Sequence, residues 1–90
     1  MSVRICGELD RFTQGPFTRA FERLWSQPAL PPRVRVVLSD LEFIDSSGLA
    51  LLIRARLRAQ QLGRELVVCE PTQPIARLFE VTGLTRMLSG

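Results

Sequence analysis

The chain has 90 residues, 46% of them hydrophobic and 23% charged, and its net charge of +3 rests on arginine alone, with no lysine or histidine. One small domain follows from that length, and the missing residue types exclude a Schiff-base lysine, a Ser-His triad and a histidine metal site. No run approaches the ~20 apolar residues of a membrane helix, and the acidic residues scattered among the arginines, with few aromatics, argue against a direct nucleic-acid partner despite the high pI.

The chain opens Met1-Ser2-Val3-Arg4-Ile5, with no basic region leading into an apolar run. No secretory leader or membrane insertion is expected, and a cytoplasmic location is the default. Ser2 to Gly7 predicts a strand, in which Val3, Ile5 and Gly7 alternate with Arg4, Cys6 and Glu8. Gly7-Glu8-Leu9-Asp10 then leaves it. Thr13 to about Trp25 predicts a helix with Pro16 early in it and an apolar stripe of Phe17, Ala20, Phe21, Leu24 and Trp25. The proline-rich segment from Ser26 to Pro32 ends that helix. Arg33 to Ser39 is the second expected strand, apolar enough to be a central strand covered on both faces, or at least one well inside the sheet. Asp40 to Ile44 reads as a connector.

The next helix begins at Ser46 or Ser47, with serine as the expected N-cap, and Gly63 closes it after Leu62. Leu49, Leu52, Ile53 and Leu57 form its expected inward stripe, with Ala50, Leu51 and Ala55 on the flank and Arg54, Arg56 and Arg58 outward. Glu65 to Cys69 is the third strand. Thr72, Pro74 and Gly83 bracket a third helix, whose inner face carries Ile75, Leu78, Phe79 and Thr82, and Leu84 to Leu88 returns as a last strand or trails off. Cys6 and Cys69 each sit in an apolar segment and read as buried hydrophobes. Alternating strands and helices predict an α/β fold on a mainly parallel sheet.

Phe43-Ile44-Asp45-Ser46-Ser47-Gly48-Leu49 is the segment that carries chemistry. It stands where an apolar run meets a helix start, and unpaired N–H groups and the helix dipole favour negative charge there. A phosphoserine at this point would add about −1.5 to −2 charge beside Asp45 and repel a docked partner. Taken alone, Ser-Ser-Gly also reads as an ordinary cap and tight turn, and Asp45 as a capping or solubilising residue.

The wider pattern is more specific. Asp40 to Leu49, then Gly63-Arg64-Glu65-Leu66-Val67-Val68-Cys69, then Arg77 to Leu84, together with Gly7-Glu8-Leu9-Asp10, resembles the anti-sigma-factor antagonist branch of the STAS family over nearly the whole chain. The resemblance implies one STAS-like domain over residues 1–90: a small mixed, mostly parallel β-sheet with about three helices packed mainly on one side. It also implies a non-enzymatic protein with no cofactor. Such proteins, when unphosphorylated, bind an anti-sigma factor that is a serine kinase and so release the sigma factor; phosphorylation of the serine before the glycine ends binding. By that likeness the acceptor is Ser47, with Ser46 as the fallback, and a metal-dependent phosphatase of the PP2C type resets the switch. Asp45 presents the hydroxyl. Asp45, Ser46, Ser47, Gly48 and Leu49 form the expected partner surface, with Glu8 and Asp10 on the same rim. The chain is expected to be short at both ends against the family pattern, and an open sheet edge invites pairing with a second copy.

A second function class stays open. STAS modules also serve as unphosphorylated subunits or domains of membrane transport systems for lipids or anions, although those often depart from serine before the glycine. An enzyme is disfavoured, since there is no phosphate-cradling glycine loop with its lysine and no base beside a nucleophile. Arg54, Arg56, Arg58 and Arg64 read as a solvated face, or else as a contact for acidic partners.

Overall fold

In the computed structural model, which describes residues 1–88, the chain runs β1 (Ser2–Arg4), β2 (Gly7–Leu9), α1 (Gln14–Trp25), β3 (Arg33–Val37), β4 (Leu41–Ile44), α2 (Ser46–Gln61), β5 (Glu65–Cys69), α3 (Gln73–Val81) and a 3-10 turn at Thr85–Met87. Residues 89 and 90 of the expected domain lie outside the described residues. The fold is α/β with three helices, and every strand ladder among the described residues is parallel. β3 is central, paired with β1 on one side and β5 on the other, while β2 and β4 form a separate pair.

Strand periodicity explains which face is covered. Val34 and Val36 of β3 lie in register with Leu66 and Val68 of β5, and all four are buried. Ile5, Leu9, Leu38, Leu41, Leu52 and Phe79 complete the fully buried set, so strands, helices and turns share one core. The opposite face of β3 carries Arg33 and Arg35 into solvent, where Arg33 pairs with Glu65 at 2.8 Å. β3 is therefore central, as expected, with one face covered along its length and the other only at its end, where Val37 and Cys69 are buried. Parallel strands joined through helices leave the second face open unless helices fall on both sides.

Several boundaries differ from the sequence reading. The Ser2 to Gly7 strand is split: Ser2–Arg4 pairs with β3, whereas Gly7–Leu9 pairs with β4 across a register irregularity at Gly7. Gly7 has φ of 78°, a left-handed conformation that re-aims the chain and interrupts the two-residue period. The Asp40 to Ile44 connector contains a true strand, β4, because its backbone groups find partners in β2, a segment distant in sequence. Leu84 to Leu88 makes the 3-10 turn and a single bridge from Leu88 to Val68, with Met87 buried.

The helix faces also shift. Leu57 is 52% exposed, since it stands five residues beyond buried Leu52, about 140° around the helix. Ala55 and Ala59 take the inward positions. Ala20 is exposed on α1, and Thr82 turns its hydroxyl back to donate to the Leu78 carbonyl at 2.8 Å instead of facing inward. Cys69 is buried but Cys6 is exposed, and neither is in a disulfide. Arg35 donates to Cys69 Sγ at 3.4 Å, a contact that raises the already high arginine pKa. Among the described residues, no helix is long and apolar enough to cross a membrane.

Candidate functional site

The start of α2 is built by three neighbouring segments. Asp45, in extended conformation, is the N-cap, and its Oδ1 accepts a hydrogen bond from the Gly48 N–H at 3.0 Å. Neither Ser46 nor Ser47 is the cap, in contrast to the sequence expectation. Both already lie inside the helix, because a carboxylate one residue earlier satisfies the orphan N–H. Asp45 Oδ2 also accepts from the Arg11 N–H at 3.4 Å, and the Asp45 N–H donates to the Leu9 carbonyl at 3.3 Å. One aspartate thus joins the helix start to the β2–α1 turn.

Asp10 stabilises that turn. Its Oδ1 accepts from the N–H groups of Phe12 and Thr13 at 2.9 and 3.0 Å, while Thr13 Oγ1 donates to the Glu8 carbonyl at 2.9 Å. Asp10 is therefore occupied within its own turn, and Glu8 is exposed. Both flank Leu9, whose carbonyl accepts from the Asp45 N–H.

Gly48 is where strand and helix meet most closely. A Cβ there would overlap the Leu9 carbonyl oxygen and lie 2.7 Å from Ile44 Cγ1. Only glycine lets α2 begin this close to β2 and β4. Ser46 is exposed, Ser47 is half-buried, and Gly48 is buried. Leu49 is 6% exposed and belongs to the core. That corrects its expected place at a partner surface: as the fourth residue of α2, it points down the helix face that packs on the sheet.

Two exposed aromatics were not singled out from sequence. Phe12, 79% exposed, follows Arg11 in the turn braced by Asp45, and the Arg11 guanidinium lies 4.7 Å from its ring centroid. Phe43, 48% exposed, pairs in register with Glu8. The sequence signal was an aromatic within the polar run Arg11-Phe12-Thr13-Gln14, and another two residues before the N-cap. Exposed large aromatics near a small polar site mark a contact surface better than scattered apolar residues do.

The geometry offers a hydroxyl at a helix start and an adjacent carboxylate, with two exposed aromatic side chains on the flanking segments. Residues 1–89 match the family model described as Mlab, STAS domain. The chain belongs to the STAS domain family. It is similar to an anti-sigma F factor antagonist of Paenibacillus polymyxa, 31% identical over 90 residues, covering 96% of this chain and 73% of the relative. Among solved structures, the phosphorylated form of the Bacillus cell fate determinant SpoIIAA superposes with a TM-score of 0.73 at 19% identity, over 98% of this chain and 78% of that one. The STAS domain of a SulP transporter from Vibrio cholerae superposes with a TM-score of 0.79 at 15% identity, over 98% of this chain and 66% of that one. For the two structures the likeness is one of fold.

The cap itself makes a prediction. Asp45→Ala removes the acceptor for Gly48 and lowers stability by about 1 kcal/mol. Asp45→Asn retains an acceptor and loses less. Urea denaturation of both variants checks the order.

Proposed function

We propose that this STAS protein is an anti-sigma-factor antagonist switched by phosphorylation of Ser47. The observation that carries the reading is the brace at the start of α2: Asp45 caps the helix through the Gly48 N–H, and Ser47 lies between exposed Ser46 and buried Gly48. The named Paenibacillus relative supports the same role. The chain acts as ligand and substrate, not as catalyst. Unphosphorylated, it occupies an anti-sigma factor with serine kinase activity. That kinase transfers the γ-phosphoryl group of ATP to Ser47 Oγ, the hydroxyl proton passes to a base of the kinase, and ADP leaves. The added dianion beside Asp45 opposes redocking. A metal-dependent phosphatase hydrolyses the ester to inorganic phosphate and restores the hydroxyl. Action in the cytoplasm belongs to this reading.

Incubation with ATP and candidate anti-sigma kinases from the same genome, followed by peptide mass spectrometry, is the direct test. One phosphate on Ser47, absent from Ser47→Ala, is the expected result. Phosphate confined to Ser46, the more exposed hydroxyl, moves the switch by one residue. No phosphate from any kinase overturns the reading. One alternative is a subunit of a membrane transport system, since the STAS domain of a Vibrio transporter shares this fold. Co-purification with an ATP-binding transporter subunit is its signature.

A further inference from the structure

A groove of about 430 Å³ runs between α1 and α2. Its floor is apolar: Phe21 and Trp25 stack with ring centroids 6.0 Å apart, beside buried Leu51. The α2 lip carries Arg54, Leu57, Arg58 and Gln61, spaced i, i+3, i+4 and i+7 and so on one face of the helix. Leu57 is exposed there, and Arg58 Nη1 donates to Gln61 Oε1 at 3.3 Å, which holds that guanidinium at the lip. The ion pairs among the described residues are Arg4 with Asp40 and Arg33 with Glu65, so neither Arg54 nor Arg58 has a carboxylate partner. Of the charged residues lining the groove, α1 supplies only Glu22. Arg56 and Arg64 turn to the other side of α2, around a second cleft with Arg86.

An apolar floor with cations on one lip and an anion on the other specifies its occupant. From Leu51 to Gln61 the groove follows α2 for about 15 Å, the length of three helical turns. Arg54 and Arg58 stand about 6 Å apart along the axis, the spacing of two carboxylates at i and i+4 on a facing helix. Glu22 rejects a second acidic flank on the opposite side. We infer that the groove docks an amphipathic helix of a partner protein, with its apolar stripe on Phe21, Trp25 and Leu57 and two carboxylates one turn apart along Arg54 and Arg58. Apolar burial supplies the affinity, and the charges fix the direction and choice of partner. The partner is not a second copy: α1 and α3 carry one acidic residue each and α2 none. A flat anionic membrane would meet the arginines but not the buried floor. The inference does not rest on the assignment of Ser47, from which Arg54 lies about 10 Å along α2.

Titration of the unphosphorylated full chain with a synthetic amphipathic peptide of about fourteen residues, followed by amide NMR, tests the inference. The peptide has leucines at helical spacing, two glutamates at i and i+4 on one flank and glutamine on the other. Shifts centred on Thr18, Trp25, Leu57 and Gln61 are expected. Leu57→Ala weakens binding by about tenfold, the scale of a central apolar anchor. Arg54→Glu and Arg58→Glu each weaken it by about tenfold or more, since like charges then meet. Arg56→Glu, on the other side of α2, makes the same change in net charge and leaves binding unchanged. A peptide with lysine in place of each glutamate binds the Arg54→Glu, Arg58→Glu double variant and not the wild type. Circular dichroism checks that each variant is folded. No shifts up to about 1 mM peptide, equal loss with Arg56→Glu, or equal binding of the lysine peptide by the wild type would each overturn the inference. Vesicles of anionic phospholipid that retain the wild type but not Leu57→Ala or Arg58→Glu would assign the lip to a membrane surface and overturn it as well.

Discussion

Gly48→Ala is expected to destabilise the protein by about 3 kcal/mol, at the upper end for overpacking, because the added methyl meets backbone. The Leu9 carbonyl oxygen cannot rotate away as a side chain can, and Ile44 Cγ1 stands 2.7 Å from the new atom. Relief requires α2 to move off β2 and β4, and the Asp45 bonds to the Gly48 N–H and the Arg11 N–H move with it. A domain of this size has a total stability of about 5–13 kcal/mol, so the loss is a large part of it. Gly15→Ala is the internal control. Its Cβ would meet only Arg19 Nη1, at 3.6 Å, near the start of α1. That substitution is expected to stabilise by about 0.4–1 kcal/mol, by narrowing the unfolded ensemble. Urea midpoints of the two variants should therefore move in opposite directions. A Gly48→Ala midpoint equal to wild type would show that the approach of α2 to the strands is not tight.

Ser47→Asp is expected to weaken binding to the partner kinase about a hundredfold, since like charges set against each other at an interface cost several kcal/mol. Ser47→Ala should bind at wild-type strength and remain bound when ATP is added. Ser47 is the second residue of α2, where a carboxylate is favourable to the helix, so the lost binding should come without unfolding. Thermal denaturation separates the two effects. Phe12→Ala or Phe43→Ala should also weaken docking, by loss of exposed apolar anchors, but without preventing phosphorylation by high kinase concentrations. Equal affinity for the alanine and aspartate variants of Ser47 would remove the switch from this site.

The chain order of helices and buried strands was legible from local rules. Phe17, Phe21 and Leu24 on α1 and the valines of β3 announce their elements by period alone. Gly63 and Gly83 end their helices at left-handed φ of 69° and 74°, as their positions suggested. The Asp-Ser-Ser-Gly segment, and its place at a helix start, were also written in the sequence. The sequence could not decide which of its polar residues caps α2. Asp45, Ser46 and Ser47 are all good caps, and the choice fell to Asp45 when Gly48 had to sit against Leu9 and Ile44. β2 and β4 are three and four residues long, too short to show a period, and exist because each supplies hydrogen-bond partners to the other across more than thirty intervening residues. Leu49 kept its expected place in the inward stripe of α2 and Leu57 did not, because periodicity fixes only relative angles on a helix. Which angle faces inward is set by the sheet beneath it. The same tertiary packing divided one run of arginines between two clefts and brought Arg86 to Arg56 and Arg64. Local pattern thus determined the elements and the chemistry available at the start of α2. Contacts between residues far apart in the chain decided which groups meet there, because only they satisfy the short strands and set the rotation of the helices.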